Sequence, residues 1–110
     1  MIDHIVISSA HYEASKAFYL EALKPLGYEL VMEFDHGGKQ GFGLGQNGKP
    51  DFWVRKSEAV VPVHVAFASP DRQTVDAFYE AAIAAGGKDN GAPGVREVYH
   101  PSYYGAYVLS

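Results

Sequence analysis

The chain contains no cysteine, which removes disulfides, thiolate nucleophiles and cysteine-type zinc sites in one stroke. Any metal ion it held would need histidine, carboxylate or water ligands. It has no apolar run approaching the roughly 20 residues that cross a bilayer, and it opens on a strand-like segment rather than a basic-then-apolar signal segment. We therefore read it as cytoplasmic, with no membrane partner. Basic residues are scarce, with 9 Lys and Arg against 13 Asp and Glu for a net charge of -4. That balance argues against nucleic acid, because binding to a phosphate backbone rests on clustered lysine and arginine. What remains is ordinary for a globular domain: 110 residues, 47% hydrophobic and 20% charged, enough for one core and too little for two.

Within that composition the sequence repeats itself at a fixed offset of sixty residues. His4-Ile5-Val6-Ile7-Ser8-Ser9 lies over His64-Val65-Ala66-Phe67-Ala68-Ser69, and Ala17-Phe18-Tyr19 lies over Ala77-Phe78-Tyr79. Ala22 over Ala82 and Gly27 over Gly87 extend the alignment without a gap. A strand, the helix after it and the stop signal of that helix all recur, as expected of a duplicated module. Two copies are too few for a solenoid. The duplication also sets a histidine at the start of each copy.

In the first copy, Ile2 to Ser8 reads as a strand, with His4, Val6 and Ser8 on one face and Ile5 and Ile7 on the other. Tyr12 to Leu23 reads as an amphipathic helix closed by Pro25 and Gly27. Strands are expected over Tyr28 to Phe34, Gln40 to Gly45 and Asp51 to Arg55, with turns at Asp35 to Lys39 and at Gln46 to Pro50, where Asn47-Gly48 is a strong hairpin signal. In the second copy, a strand over Pro62 to Ala68 leads through Ser69-Pro70-Asp71 into a helix from Arg72 to Ala85 that stops at Gly86-Gly87. Strands follow over Val95 to Tyr99 and Tyr103 to Leu109. The fold class is therefore α+β: one domain over residues 1–110, built from tandem βαβββ modules at 1–57 and 58–110. The second module is one strand short, and pairing the copies predicts a further strand beyond Ser110 in a complete parent. The two half-sheets are expected to curve together into a cup, with helices outside and a concave cleft within.

Duplicated βαβββ modules, a histidine opening each first strand, an Ala-Phe-Tyr helix motif and the late Tyr103-Tyr104-Gly105-Ala106-Tyr107-Val108 strand together resemble the vicinal oxygen chelate superfamily. This is the group of glyoxalases, bleomycin-resistance proteins and extradiol dioxygenases, and the chain is most similar to its glyoxalase-like branch. The resemblance runs from Ile2 to Ser110. It implies a divalent metal (Zn, Ni, Mn or Fe) held by His4 and His64, whose equivalent pleat positions would aim both imidazoles into the cleft. The glutamate that family members add from a final strand would fall beyond Ser110. At the module-one carboxylate position the chain reads Asp51-Phe52-Trp53-Val54, with Trp53 facing the cup and Asp51 close to the turn.

The resemblance leaves two functions to compare. One is a metal-dependent lyase or dioxygenase of the glyoxalase type; the other is a metal-free protein that binds or sequesters a small molecule, as bleomycin-resistance relatives do. It also implies a homodimer. Trp53, Tyr104 and Phe42 belong to strands expected to line the cup, where flat rings suit a planar or amphipathic ligand. Phe18 and Phe78, at matched helix positions, are expected in the core. Asp51, Glu33 and Glu97 read as strand-edge charges, and His11, His36 and His100 as surface residues. Gly41, Gly43 and Gly45 alternate along one strand but precede no helix, so close strand approach or a bulge explains them better than a phosphate loop.

Overall fold

The computed structural model describes residues 1–110. Its first half is a closed piece of architecture. Strand β1 (Ile5–Ser9) leads into helix α1 (Tyr12–Ala22), a 3-10 turn at Lys24–Leu26 and three long strands, β2 (Glu29–His36), β3 (Lys39–Gln46) and β4 (Lys49–Lys56). The strands form one curved sheet in the order β1-β4-β3-β2, antiparallel except where β1 runs parallel to β4. The β3–β4 turn uses Asn47 at φ 53° and Gly48 at φ 76°, the paired positive angles of a two-residue hairpin whose twist matches the flanking strands.

Alternation then sorts the side chains. Phe42 pairs with Val54 and Leu44 with Phe52 across β3 and β4, and all four turn toward α1, where they are 0–1% exposed. Tyr12 of α1 meets Phe42 edge-on at 5.5 Å, and Tyr19 meets Phe52 at 5.0 Å. Each such burial contributes about 1.5–3 kcal/mol, so this layer is the stabilising centre of the molecule. Tyr12 also donates to Glu33 on β2 (2.9 Å), and Lys16 donates to the same carboxylate (2.7 Å), tying α1 to the outer strand.

The second half keeps its helix and loses most of its sheet. Helix α2 (Arg72–Ala84) is capped by Asp71, whose Oδ1 accepts from the Thr74 N–H at 2.7 Å, and it ends at Gly86 with φ 105°, as its start and stop signals lead one to expect. The remaining strands are two-residue fragments. β5 (Lys88–Asp89) pairs with β8 (Val108–Leu109), and β6 (Gly94–Val95) pairs with β7 (Tyr104–Gly105).

Four expectations need correction here. Pro62 to Ala68 forms no strand ladder, although Val65 and Phe67 still pack against the core while His64, Ala66 and Ala68 are exposed. In the first half β1 pairs only with β4, and no segment of the second half stands in the matching place, so the backbone of 62–68 has nothing to pair with. The strand expected over Val95 to Tyr99 bends away after Val95 into a turn over 97–99, and Tyr103 to Leu109 is broken between its two short ladders. Phe18 and Phe78 are half-buried rather than core, Phe78 packing against the edge of the main cluster.

Candidate functional site

Pairing across the first sheet builds its open face. Met32, Gly43, Trp53 and Val6 lie abreast on adjacent strands, and Phe34, Gly41, Arg55 and Ser8 form the next row. The glycines are what let the large rings lie down. A Cβ on Gly43 would stand 2.9 Å from the Trp53 indole, and one on Gly41 would stand 2.6 Å from the Phe34 ring, closer than carbon atoms approach. Close approach therefore explains both residues. At Gly45 a Cβ would meet the Lys49 carbonyl, and the β3–β4 register slips between Leu44 and Gly45, so this glycine sits at a bulge.

The result is an aromatic shelf, with Phe34 and Trp53 at 6.4 Å between ring centroids. It borders a cavity of about 380 Å³ whose other walls include His4, Val6, Pro50 and Arg55. Arg55 donates from Nε to Ser8 Oγ at 3.2 Å and is otherwise exposed, and Val6 is 54% exposed beside it. His4 lies 2.8 Å through Nδ1 from Asp3, which also accepts from Lys49 at 3.0 Å. Hydrogen bonds from His4 and Lys49 hold the Asp3 carboxyl below its ordinary range.

A second and larger cavity, about 1380 Å³, lies on the other side of β1. His64 and Tyr104 line it. The His64 ring stands 6.2 Å from that of Tyr107. Tyr104 donates its hydroxyl to Asp76 at 2.6 Å, with the Arg72 guanidinium 5.0 Å above the ring. The hydrogen bond to Asp76 pushes the Tyr104 phenol upward.

The structure thus brings His4 and Trp53 to one cavity and His64 and Tyr104 to another. Phe42 joins neither. It is 0% exposed on the helix face of β3, because alternation from Gly41 and Gly43, which carry the open face, must turn it inward. Of the three carboxylates, Glu97 is exposed in a turn and Glu33 is engaged by Tyr12 and Lys16. Asp51 is the extra residue of the bulge. It accepts from Tyr28 at 3.0 Å through Oδ2, while its buried Oδ1 has no partner. Burial, reinforced by that bond, pushes the Tyr28 phenol up to about 12. His11, His36 and His100 are exposed.

Phe34 and Arg55 also line the smaller cavity, and sequence reasoning passes over both. Arg55 is two positions from Trp53 on the same strand, and Phe34 is the large neighbour that alternating glycines require. Both signals were available in the strand period.

The residues present do not fit a divalent ion of the kind the resemblance implies. No three His, Asp or Glu side chains converge, the two imidazoles line different cavities, and an open facial site needs a third donor.

A family model described as the glyoxalase/bleomycin resistance protein/dioxygenase superfamily matches residues 1–103. The chain belongs to this superfamily. Among solved structures, a glyoxalase/bleomycin resistance protein from Albidiferax ferrireducens T118 superposes with a TM-score of 0.71 at 24% identity, covering 98% of this chain and 89% of that one. Glyoxalase I from Zea mays gives 0.69 at 20% identity, over 97% of this chain and 40% of the maize chain. A hypothetical protein from S. aureus gives 0.56 at 16% identity, over 100% and 95% of the two chains. Comparison with curated proteins gives no match. These likenesses are of fold, and they agree with the α+β architecture of a curved sheet and two helices. Members of the superfamily bind small molecules and often form dimers. No helix of this member is long and apolar enough to cross a membrane.

Proposed function

We propose that this glyoxalase-superfamily chain is a small-molecule binding protein that takes a planar, anionic ligand on the open face of its first sheet, without a metal ion. The observation that carries the reading is the Trp53 indole lying flat over Gly43, with Phe34 beside it and an exposed Arg55 two residues along the same strand. A flat aromatic floor with a cation at its margin suits a ring bearing a carboxylate, stacking supplying contact area and the guanidinium supplying orientation. His4, whose imidazole borders the same cavity, is a second polar contact in this reading. A single domain of two modules, 1–57 and 58–110, acting as a cytoplasmic homodimer, completes the proposal.

The metal-dependent enzyme reading gives His4 and His64 the role of ligands, and it requires both a third donor and a rearrangement that joins the two cavities. The two readings separate in one titration. Trp53 is the sole tryptophan, so its fluorescence reports on the shelf alone. With chelator present, planar aromatic carboxylates such as naphthoates should give a saturable change, and Arg55→Gln should weaken binding about tenfold, equivalent to 1.4 kcal/mol. A response that appears only when Zn, Ni, Mn or Fe is added would overturn the metal-free reading in favour of the enzyme.

A further inference from the structure

On the reading of the shelf as a site for planar anions, we infer that Ser8 is a positioning residue that sets which edge of the Arg55 guanidinium meets the ligand. Arg55 and Ser8 are direct partners in the parallel ladder of β1 and β4, in the row next to that of Trp53 and Val6. Successive rows on one face stand about 7 Å apart along the strands, so a ring stacked on the indole brings its substituents toward the guanidinium. The Arg55 Nε–H donates to Ser8 Oγ at 3.2 Å.

No other hydrogen bond or ion pair restrains the Arg55 side chain. The ion pairs of the molecule join His4 and Lys49 to Asp3, and Lys16 to Glu33. Arg55 therefore borders the cavity of about 380 Å³ as a cation that no protein carboxylate neutralises. Ser8, by contrast, is firmly placed. Its backbone is locked in the β1–β4 ladder, and the hydroxyl of the adjoining Ser9 meets that of Ser15 at 2.6 Å, tying the end of β1 to α1. With one rotatable bond between backbone and hydroxyl, Ser8 offers its acceptor at a nearly fixed point.

The donor geometry of the guanidinium gives that bond its consequence. Of the five N–H donors, one is on Nε and two are on each terminal nitrogen. A carboxylate takes two of them side by side, either from Nε and one terminal nitrogen or from both terminal nitrogens. Ser8 occupies Nε and closes the first fork. The terminal fork is left for the ligand. An exposed arginine also gives up rotamer freedom when it binds, and the bond to Ser8 removes part of that freedom before the ligand arrives. A neutral ligand gains from neither effect, so Ser8 sharpens the selection of a carboxylate over its uncharged isostere.

The test titrates 2-naphthoate and its uncharged isostere 2-naphthamide against the full chain in chelator, followed by Trp53 fluorescence. Ser8→Ala should weaken naphthoate binding about threefold, the size expected for one lost hydrogen bond, and leave naphthamide binding unchanged. Ser8→Thr keeps the hydroxyl and should bind naphthoate as the unaltered chain does. In the Arg55→Gln background, Ser8→Ala should add no further loss, because its effect runs through the guanidinium. Four results overturn the inference while leaving the ligand site standing: naphthoate affinity unchanged or raised in Ser8→Ala, equal weakening of both compounds, the same loss in Ser8→Thr, or a full further loss on top of Arg55→Gln. Failure of naphthoate to bind the unaltered chain overturns the ligand reading and the role of Ser8 together.

Discussion

Residues 5–9 and 65–69 occupy equivalent places in the repeat, yet one is a strand and the other is not. Ile5 and Ile7 pack on the core from a ladder with β4, whereas Val65 and Phe67 pack on the same core with their backbone unpaired. The halves diverge in burial as well. Phe42, Leu44, Phe52 and Val54 give the first half a closed apolar layer, while Ala82 is the one residue after β4 that is fully buried. The contrast teaches that a β-prone sequence supplies a face and a direction, and that the neighbouring strand supplies the strand itself. It also separates two surfaces: the first half presents an aromatic shelf on a fully laddered sheet, and the second half presents backbone at 62–68 that no strand pairs.

The sharpest way to break this contrast is to cut each half at its central aromatic ring. Phe52→Ala should cost about 3–5 kcal/mol, because a fully buried ring leaves a cavity. Phe78→Ala, half-buried at the edge of the core, should cost about 1–2 kcal/mol. Urea denaturation of both variants checks the difference, and equal losses would mean the second half is as well built as the first.

Glycines sharpen the comparison one step down in size. Gly43→Ala forces a methyl to within 2.9 Å of the indole, so it should destabilise by about 1–3 kcal/mol and lower ligand affinity at Trp53 at least about tenfold. Gly94→Ala in the second half meets the tip of the Arg96 side chain at 3.0 Å and the Ala92 carbonyl at an ordinary 3.9 Å. That tip can move aside, and the cost should stay under about 0.5 kcal/mol. Fluorescence and urea titrations of the two variants measure both effects.

The smallest effect is a pH dependence in the first half. Hydrogen bonds from Lys16 and Tyr12 hold the Glu33 carboxyl below its ordinary value of 4.5. A depressed folded-state value means that the stabilisation is fully present above 4.5 and is lost as the pH falls through the lower folded value. The Lys16–Glu33 pair is partly exposed, so the effect should be at most about 1 kcal/mol. Glu33→Gln should remove that part of the acid sensitivity, read as a smaller drop in urea midpoint between pH 7 and pH 3 than in the unaltered chain.

Local signals in the sequence located much of this. The Asn47-Gly48 hairpin, the Asp71 cap, the glycine stop after Ala85 and both helices lie where short-range chemistry puts them, since each is decided by residues a few positions apart. The α+β class and the superfamily followed from the sixty-residue repeat. The features that were not legible depend on distant partners. Residues 62–68 have the right pattern and lack a flanking strand. Phe42 turns inward because the glycines on either side of it hold the open face, a consequence of the β2–β3–β4 register. His4 and His64 share a position in the repeat, but they border different cavities. The sequence pattern of Asp51 suggests a strand-edge charge, whereas the bulge at Gly45 turns it toward Tyr28.

Native-state hydrogen exchange on the free chain bears most directly on the inequality of the two halves. The amides of Ile5–Ser9 that bond to β4 should exchange only through global unfolding, while those of 62–68 should exchange at rates near those of an unstructured peptide. Equal protection of the two segments in the free, monomeric chain would contradict the account, because it would mean that the second half closes its sheet without any added strand.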